Sequence, residues 1–269
     1  ALATVMPVLQ DMTQAEATAT VERMKAAGQI TADLANLIVQ LTRAAACTER
    51  INGVLALQPA MRYGEIRLTP AAGENAVEFR HVVLRYGSGE ESLSDISFTV
   101  QKGQTVGVIG GTGSGKTSLV SLLPRYYDAT SGSVLLFGKD IRTYDRQSLR
   151  TAVSTVMQKA QLFSGTIRDN LTWGNPSATD EDLWQALTTA QAAEIVRGKP
   201  LGLNEPVEQS GRNFSGGQKQ RLSIARSLVS RPAILILDDS ASARDYATDA
   251  ALRKALAALP GDTTLFIVS

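Results

Sequence analysis

The stretch Gly110-Gly111-Thr112-Gly113-Ser114-Gly115-Lys116-Thr117 constrains this chain more than any other. Its glycines permit backbone angles that side chains forbid, so successive N–H groups can turn inward as a nest for an anion. Before it, Thr105, Val106, Val108 and Ile109 read as a short buried strand. After it, residues 118–123 carry apolar side chains at helical spacing until Pro124 ends the run. Strand, glycine turn and helix form the context in which the pattern G-x-x-x-x-G-K-[S/T] cradles a polyphosphate. The helix start near Gly115 offers unpaired N–H groups and the positive end of a dipole. Lys116 can then neutralise β and γ phosphates, and the Thr117 hydroxyl can ligate Mg²⁺. A bare glycine-rich turn is the alternative, and it explains neither the Lys nor the Thr.

Around this loop the pattern alternates. Residues 77–86 and 96–100 read as strands about the turn Gly87-Ser88-Gly89, and 134–137 and 152–157 as two more. Residues 180–190 read as a helix opened by Thr179, and 216–229 as another, with a loop holding Gly198, Pro200, Gly202 and Pro206 between them. Strand 233–237, helix 246–259 and strand 264–268 follow. Strands alternating with helices indicate an α/β core on a mainly parallel sheet, interrupted by a helical insertion. Upstream, residues 1–28 predict a helix ended by Gly28. From Thr31, Leu34, Leu37, Ile38, Leu41, Ala45, Ile51 and Leu55 recur at helical steps. A helix over 31–57 would be on the order of 40 Å long and apolar along one stripe, an arm that wants a partner helix. Pro59, Gly64, Pro70 and Gly73 mark a linker between arm and core.

Two further segments complete a nucleotide site. Ile234-Leu235-Ile236-Leu237-Asp238-Asp239 delivers acids to the carboxyl end of the sheet, where Asp238 would hold Mg²⁺ directly or through water, complementing Thr117. Phe214-Ser215-Gly216-Gly217-Gln218 opens a helix as a second anion nest. Standing alone, that segment would be a glycine turn. One chain with two phosphate-binding helix starts suggests ATP held between two copies, each completing the other's site.

On these motifs the sequence resembles the nucleotide-binding domain of ATP-binding-cassette transporters, above all exporters whose membrane and ATPase domains share one chain. The resemblance covers about residues 76–269. It implies a phosphate-loop NTPase core, an antiparallel β subdomain and a helical signature subdomain at about 160–230, preceded by a helical arm (1–58) and linker (59–75). The ligands it implies are ATP and Mg²⁺. Nucleotide contacts would come from Gly110, Gly111, Thr112, Gly113, Ser114, Gly115, Lys116, Thr117 and Ser118, with Ser215, Gly216, Gly217 and Gln218 facing a partner's nucleotide. It gives Tyr86 the role of stacking on adenine. Gln158, in Met157-Gln158-Lys159, would touch Mg²⁺ and sense the membrane domain. Glu208-Gln209-Ser210-Gly211 resembles the cross-linking loop, and Ser242-Ala243-Arg244-Asp245 the loop between paired domains. The partners implied are a second nucleotide-binding domain and membrane-spanning domains, at the cytoplasmic face of a cell membrane.

The sequence also departs from the family. Asp239 stands where a Glu usually polarises the attacking water. A carboxylate withdrawn by one methylene, near 1 Å, can cost about a hundredfold in rate. Arg244 replaces a usual aliphatic residue, and the switch histidine is expected just after the last strand, where this sequence ends at Ser269. In the arm, only residues 34–41 stay apolar where the family has a spanning helix, too few to cross a bilayer. Both ends look like cuts through a longer protein. The pattern therefore predicts an exporter half with Lys116, Gln158 and Asp239 as its catalytic set, binding ATP firmly and hydrolysing it slowly. A regulatory half that only binds ATP, and a soluble cassette ATPase, are the alternatives.

Composition excludes little but weighs against nucleic acid: the net charge is +1, with 20% charged residues. Cys47 stands alone, so no internal disulfide can form, and a small apolar filler is its expected role. His81, the single histidine, is expected at a surface or strand edge.

Overall fold

The computed structural model describes residues 13–58, 61–70, 73–238, 246–258 and 263–269. The expectations for Asp239 and for the loop with Arg244 lie outside them. The chain divides into two compact units, Ala1–Ala60 and Met61–Ser269.

The first unit holds α1 (Gln14–Ala26) and α2 (Ala32–Leu55). Thr13 and Glu16 close a capping box on α1, and the Thr31 hydroxyl accepts from the Leu34 N–H at the start of α2. Ala17, Val21, Ile30, Ala35 and Ile38 are buried where the two helices meet. Beyond Ile38 the apolar stripe of α2 is exposed, with Ile51, Val54 and Leu55 all more than half accessible. Cys47 is exposed on the same helix, so the filler role expected for it is corrected. No described helix is long and apolar enough to cross a membrane.

In the second unit β1 (Asn75–Arg85) and β2 (Glu91–Gln101) form an antiparallel pair. β3 (Thr105–Val108) leads to α3 (Lys116–Ser121); β4 (Ser131–Leu136) and β5 (Lys139–Asp140) then extend the antiparallel sheet to the order β2-β1-β4-β5. After α4 (Arg146–Ala152) and β6 (Val153–Val156) come β7 (Gly165–Thr166), α5 (Ile167–Thr172), α6 (Asp180–Thr189), α7 (Ala193–Arg197), β8 (Pro206–Val207) and α8 (Gly216–Val229). β9 (Ile234–Asp238), α9 (Tyr246–Ala257) and β10 (Thr264–Val268) finish the chain, and a parallel sheet runs β3-β10-β9-β6.

The fold is the α/β arrangement expected, and β9 shows why it holds. Its residues 234–237 are all buried, as a strand covered on both faces requires. Ile234 and Ile236 face the core shared with the antiparallel sheet and α3; Leu235 and Leu237 face the core built with α5, α6 and α8. Pleat alternation thus splits one apolar run between two cores. Thr179 and Asp182 cap α6 reciprocally, as Ser215 and Gln218 cap α8.

Three differences from the sequence reading stand out. Strand β2 begins at Glu91, five residues before the apolar alternation that signals it. The short helices α4 and α7 occupy stretches without readable periodicity. Within the expected linker, Tyr63 and Leu68 join the second unit's core and Ile66 bridges to Tyr144, so residues 61–68 belong to that unit. Gly64 is required there, because a Cβ on it would lie 2.0 Å from the Thr143 carbonyl oxygen.

Candidate functional site

Register in the parallel sheet assembles the site. Val108, Val268 and Asp238 stand abreast on β3, β10 and β9, so the loop leaving β3 and the acid ending β9 emerge at the same carboxyl edge. There the Thr117 hydroxyl of α3 lies 3.5 Å from Asp238 Oδ1. Gln158, just past β6, lines one cleft with both.

The loop is shaped as its glycines allow. Gly113 and Gly115 take φ of +83° and +86°, and a Cβ on Gly115 would meet the Ser92 carbonyl oxygen at 2.7 Å. Lys116 folds back over the loop, its Nζ donating to the carbonyl oxygens of Gly110 (2.6 Å) and Gly111 (3.0 Å). Helix α3 has only 6 residues, so its dipole is slight and the loop amides and Lys116 carry the electrostatics. This cradle fits a triphosphate. The oxygens of Thr117 and Asp238 are the hard donors Mg²⁺ prefers.

Tyr86 follows the last residue of β1, and its hydroxyl donates to Ser118 Oγ at 3.1 Å. Gly110, Gly111, Thr112, Gly113, Ser114 and Gly115 thus share one edge with Lys116, Thr117, Ser118, Tyr86 and Asp238. Ser215, Gly216, Gly217 and Gln218 are not among the residues lining the cleft. The Ser215 hydroxyl accepts from the Gln218 N–H (3.3 Å) while Gln218 Oε1 accepts from the Ser215 N–H (3.0 Å). His81 sits at a bulge of β1 with φ of +48°, exposed and paired with Asp95 at 2.7 Å, a surface residue on a strand that is paired on both sides and so not at an edge.

Sequence reasoning missed the far wall of the cleft, a space of about 1110 Å³. Phe163 and Trp173 pack there with ring centroids 3.9 Å apart, and the Arg226 guanidinium lies 5.4 Å from the Phe163 centroid. Asn170 fixes Phe163 by bonding both its N–H and its carbonyl oxygen at 2.8 Å. Burial pushes the Arg226 pKa down. Arg226 Nη1, Thr155 Oγ1 and Ser223 Oγ have no partner among the described residues. Two aromatics ten residues apart in a region read only as helical gave no signal of this pairing.

The family model for ABC transporters matches residues 93–242, from β2 through Asp238. The chain belongs to the ABC transporter family. Its members bind ATP, generally with Mg²⁺, and hydrolyse it. This ABC chain is 43% identical to a probable multidrug resistance ABC transporter ATP-binding/permease protein of Bacillus subtilis, over 76% of its own length and 32% of the relative's. It is 41% identical to a beta-(1→2)glucan export ATP-binding/permease protein of Bartonella henselae, over 73% of its length and 33% of the relative's. It therefore spans about a third of these curated relatives. A solved bacterial Atm1-family ABC exporter with ATP bound superposes with a TM-score of 0.80 at 29% identity, covering 88% of this chain and 42% of that one. The chain thus carries an ABC transporter ATP-binding domain homologous to those of exporters.

Proposed function

We propose that this chain is the ATPase part of an exporter, in which MgATP draws two nucleotide-binding domains together at the cytoplasmic face of a membrane and hydrolysis releases them. The observation that carries this reading is the convergence of the phosphate loop, Asp238 and Gln158 on one sheet edge. On the family resemblance, the second anion nest, Ser215 to Gln218, would complete the site of a second domain. The cleft beside Gln158, walled by Phe163 and Trp173, favours contact with a membrane-spanning partner at that point.

Lys116 would neutralise the triphosphate, and Thr117 and Asp238 would hold the metal. Mg²⁺ when bound would offset charge on the β and γ phosphates. Gln158 would touch Mg²⁺ and sense the membrane domain, and Asp239 would polarise the attacking water. Tyr86 would stack on the base. Because Asp is one methylene shorter than Glu, this site would bind ATP firmly and turn it over slowly, while its Ser215–Gln218 turn completes the site of a glutamate-bearing partner. The test compares steady-state ATPase rates of this chain and its Asp239→Glu variant, each alone and mixed with such a partner. A rise of about a hundredfold on Asp239→Glu is expected. Equal, brisk turnover in both would refute the slow-site reading.

A further inference from the structure

Tyr86 follows the last paired residue of β1, since Arg85 is the final one opposite β2 and Gly87 begins a turn. The strand ladder therefore does not orient its ring, which is 41% exposed. Two contacts do. One is the hydroxyl bond to Ser118 on the phosphate helix. The other is Tyr127, whose ring meets that of Tyr86 edge to face, with centroids 4.9 Å apart and planes at 80°.

Tyr127 rides on a turn pinned on both sides. Before it, Arg125 Nε and Nη2 grip the Asp128 carboxylate at 2.6 and 3.0 Å. After it, the Thr130 N–H donates to the Val83 carbonyl oxygen at 2.8 Å, and Thr130 Oγ1 accepts from the Arg85 N–H at 2.9 Å. The turn is thus bonded to the residue immediately before Tyr86. One backbone bond and three bonds through the side chains of Arg125, Asp128 and Thr130 set the spacing between the two rings.

We propose that Tyr127 is a positioning residue for nucleotide binding: it fixes the plane of the Tyr86 ring so that a purine meets a preset face. A ring held in its bound orientation loses less freedom when a base stacks on it, which strengthens binding without a new contact to ligand. The bond to Ser118 ties that plane to the helix of the phosphate loop, so base and triphosphate are received in one frame. The inference rests on reading Tyr86 as the base-stacking residue.

The test titrates the full chain calorimetrically with MgATP and, separately, with magnesium tripolyphosphate, which has no base. Tyr127→Leu should weaken MgATP about three- to tenfold, the range of an aromatic pair contact, and leave tripolyphosphate unchanged. Tyr127→Phe, which keeps the ring, should bind both as the parent does. Unchanged MgATP affinity in Tyr127→Leu, alongside a loss in Tyr86→Ala, overturns the positioning role. So does an equal loss of both ligands, which would mark general damage. If Tyr86→Ala itself binds MgATP like the parent, the base-stacking reading falls first and takes the role of Tyr127 with it.

Discussion

Thr117 Oγ1 and Asp238 Oδ1 lie 3.5 Å apart, joined across 121 positions of sequence. That spacing is long for a hydroxyl bond, whose usual length is about 2.7–2.8 Å. At that length the direct bond is weak, and under the proposed function both oxygens would serve Mg²⁺ instead. The pair brings the acid that ends β9 to the height where α3 begins.

Under the proposed function, replacing Thr117 by Ala should remove a metal ligand while leaving the loop glycines and Lys116 in place. Calorimetry with and without Mg²⁺ is expected to show ATP affinity lowered about tenfold with the metal, and parent and variant converging once EDTA removes it. Thr117→Ser should behave as the parent.

Arg125 is 3% exposed and holds φ of +54°. Its fork grips Asp128, its Nη2 donates to the Arg62 carbonyl oxygen at 2.8 Å, and its guanidinium lies 4.7 Å from the Tyr63 centroid. Arg125→Ala should cost about 2–3 kcal/mol in urea unfolding, because it strips partners from a carboxylate and a carbonyl together. Arg125→Lys should recover little, lacking the planar fork.

Tyr144 is buried, and its hydroxyl donates to the Leu136 carbonyl oxygen at 2.6 Å. Burial, reinforced by the charge of Glu74, pushes its pKa up to about 12. Below pH of about 10 the folded and unfolded chains both keep this proton, and its contribution is intact. As pH rises from there toward about 12, only the unfolded chain releases it, so stability falls. Urea midpoints across that window should decline less steeply for Tyr144→Phe than for the parent. At neutral pH the variant should be weaker by about 1 kcal/mol from the lost hydrogen bond.

Gly132 in β4 has φ of +77°, and a Cβ there would come within 2.2 Å of the His81 carbonyl oxygen. Gly132→Ala should destabilise by more than about 2 kcal/mol, through backbone strain and displacement of the β1 bulge. A thermal melt matching the parent would contradict this.

The sequence announces elements whose signal is local and periodic. Strands β9 and β10 are unbroken apolar runs, α8 starts with its own capping box, and the phosphate loop is spelled in glycines. Elements that depend on distant partners are silent. β7 pairs with β8 across some forty residues, and the five residues of α7 are too few to show a period. Residues 61–68 look like a linker because they carry Gly64 and precede Pro70, yet that glycine is what lets the backbone close against Thr143. Within the site, Lys116, Thr117 and Asp238 were legible from residue type and order. Phe163, Trp173, Arg226 and Tyr127 were not, because each acquires meaning only from the ring beside it.

The clamp at Arg125 fastens the start of the second unit to the turn after the phosphate helix. Chain arriving through Met61 reaches Arg62 at once, and that carbonyl is tied to the turn closing the phosphate helix. The first residues of the second unit are therefore anchored beside the phosphate helix well before the chain enters β1 at Asn75.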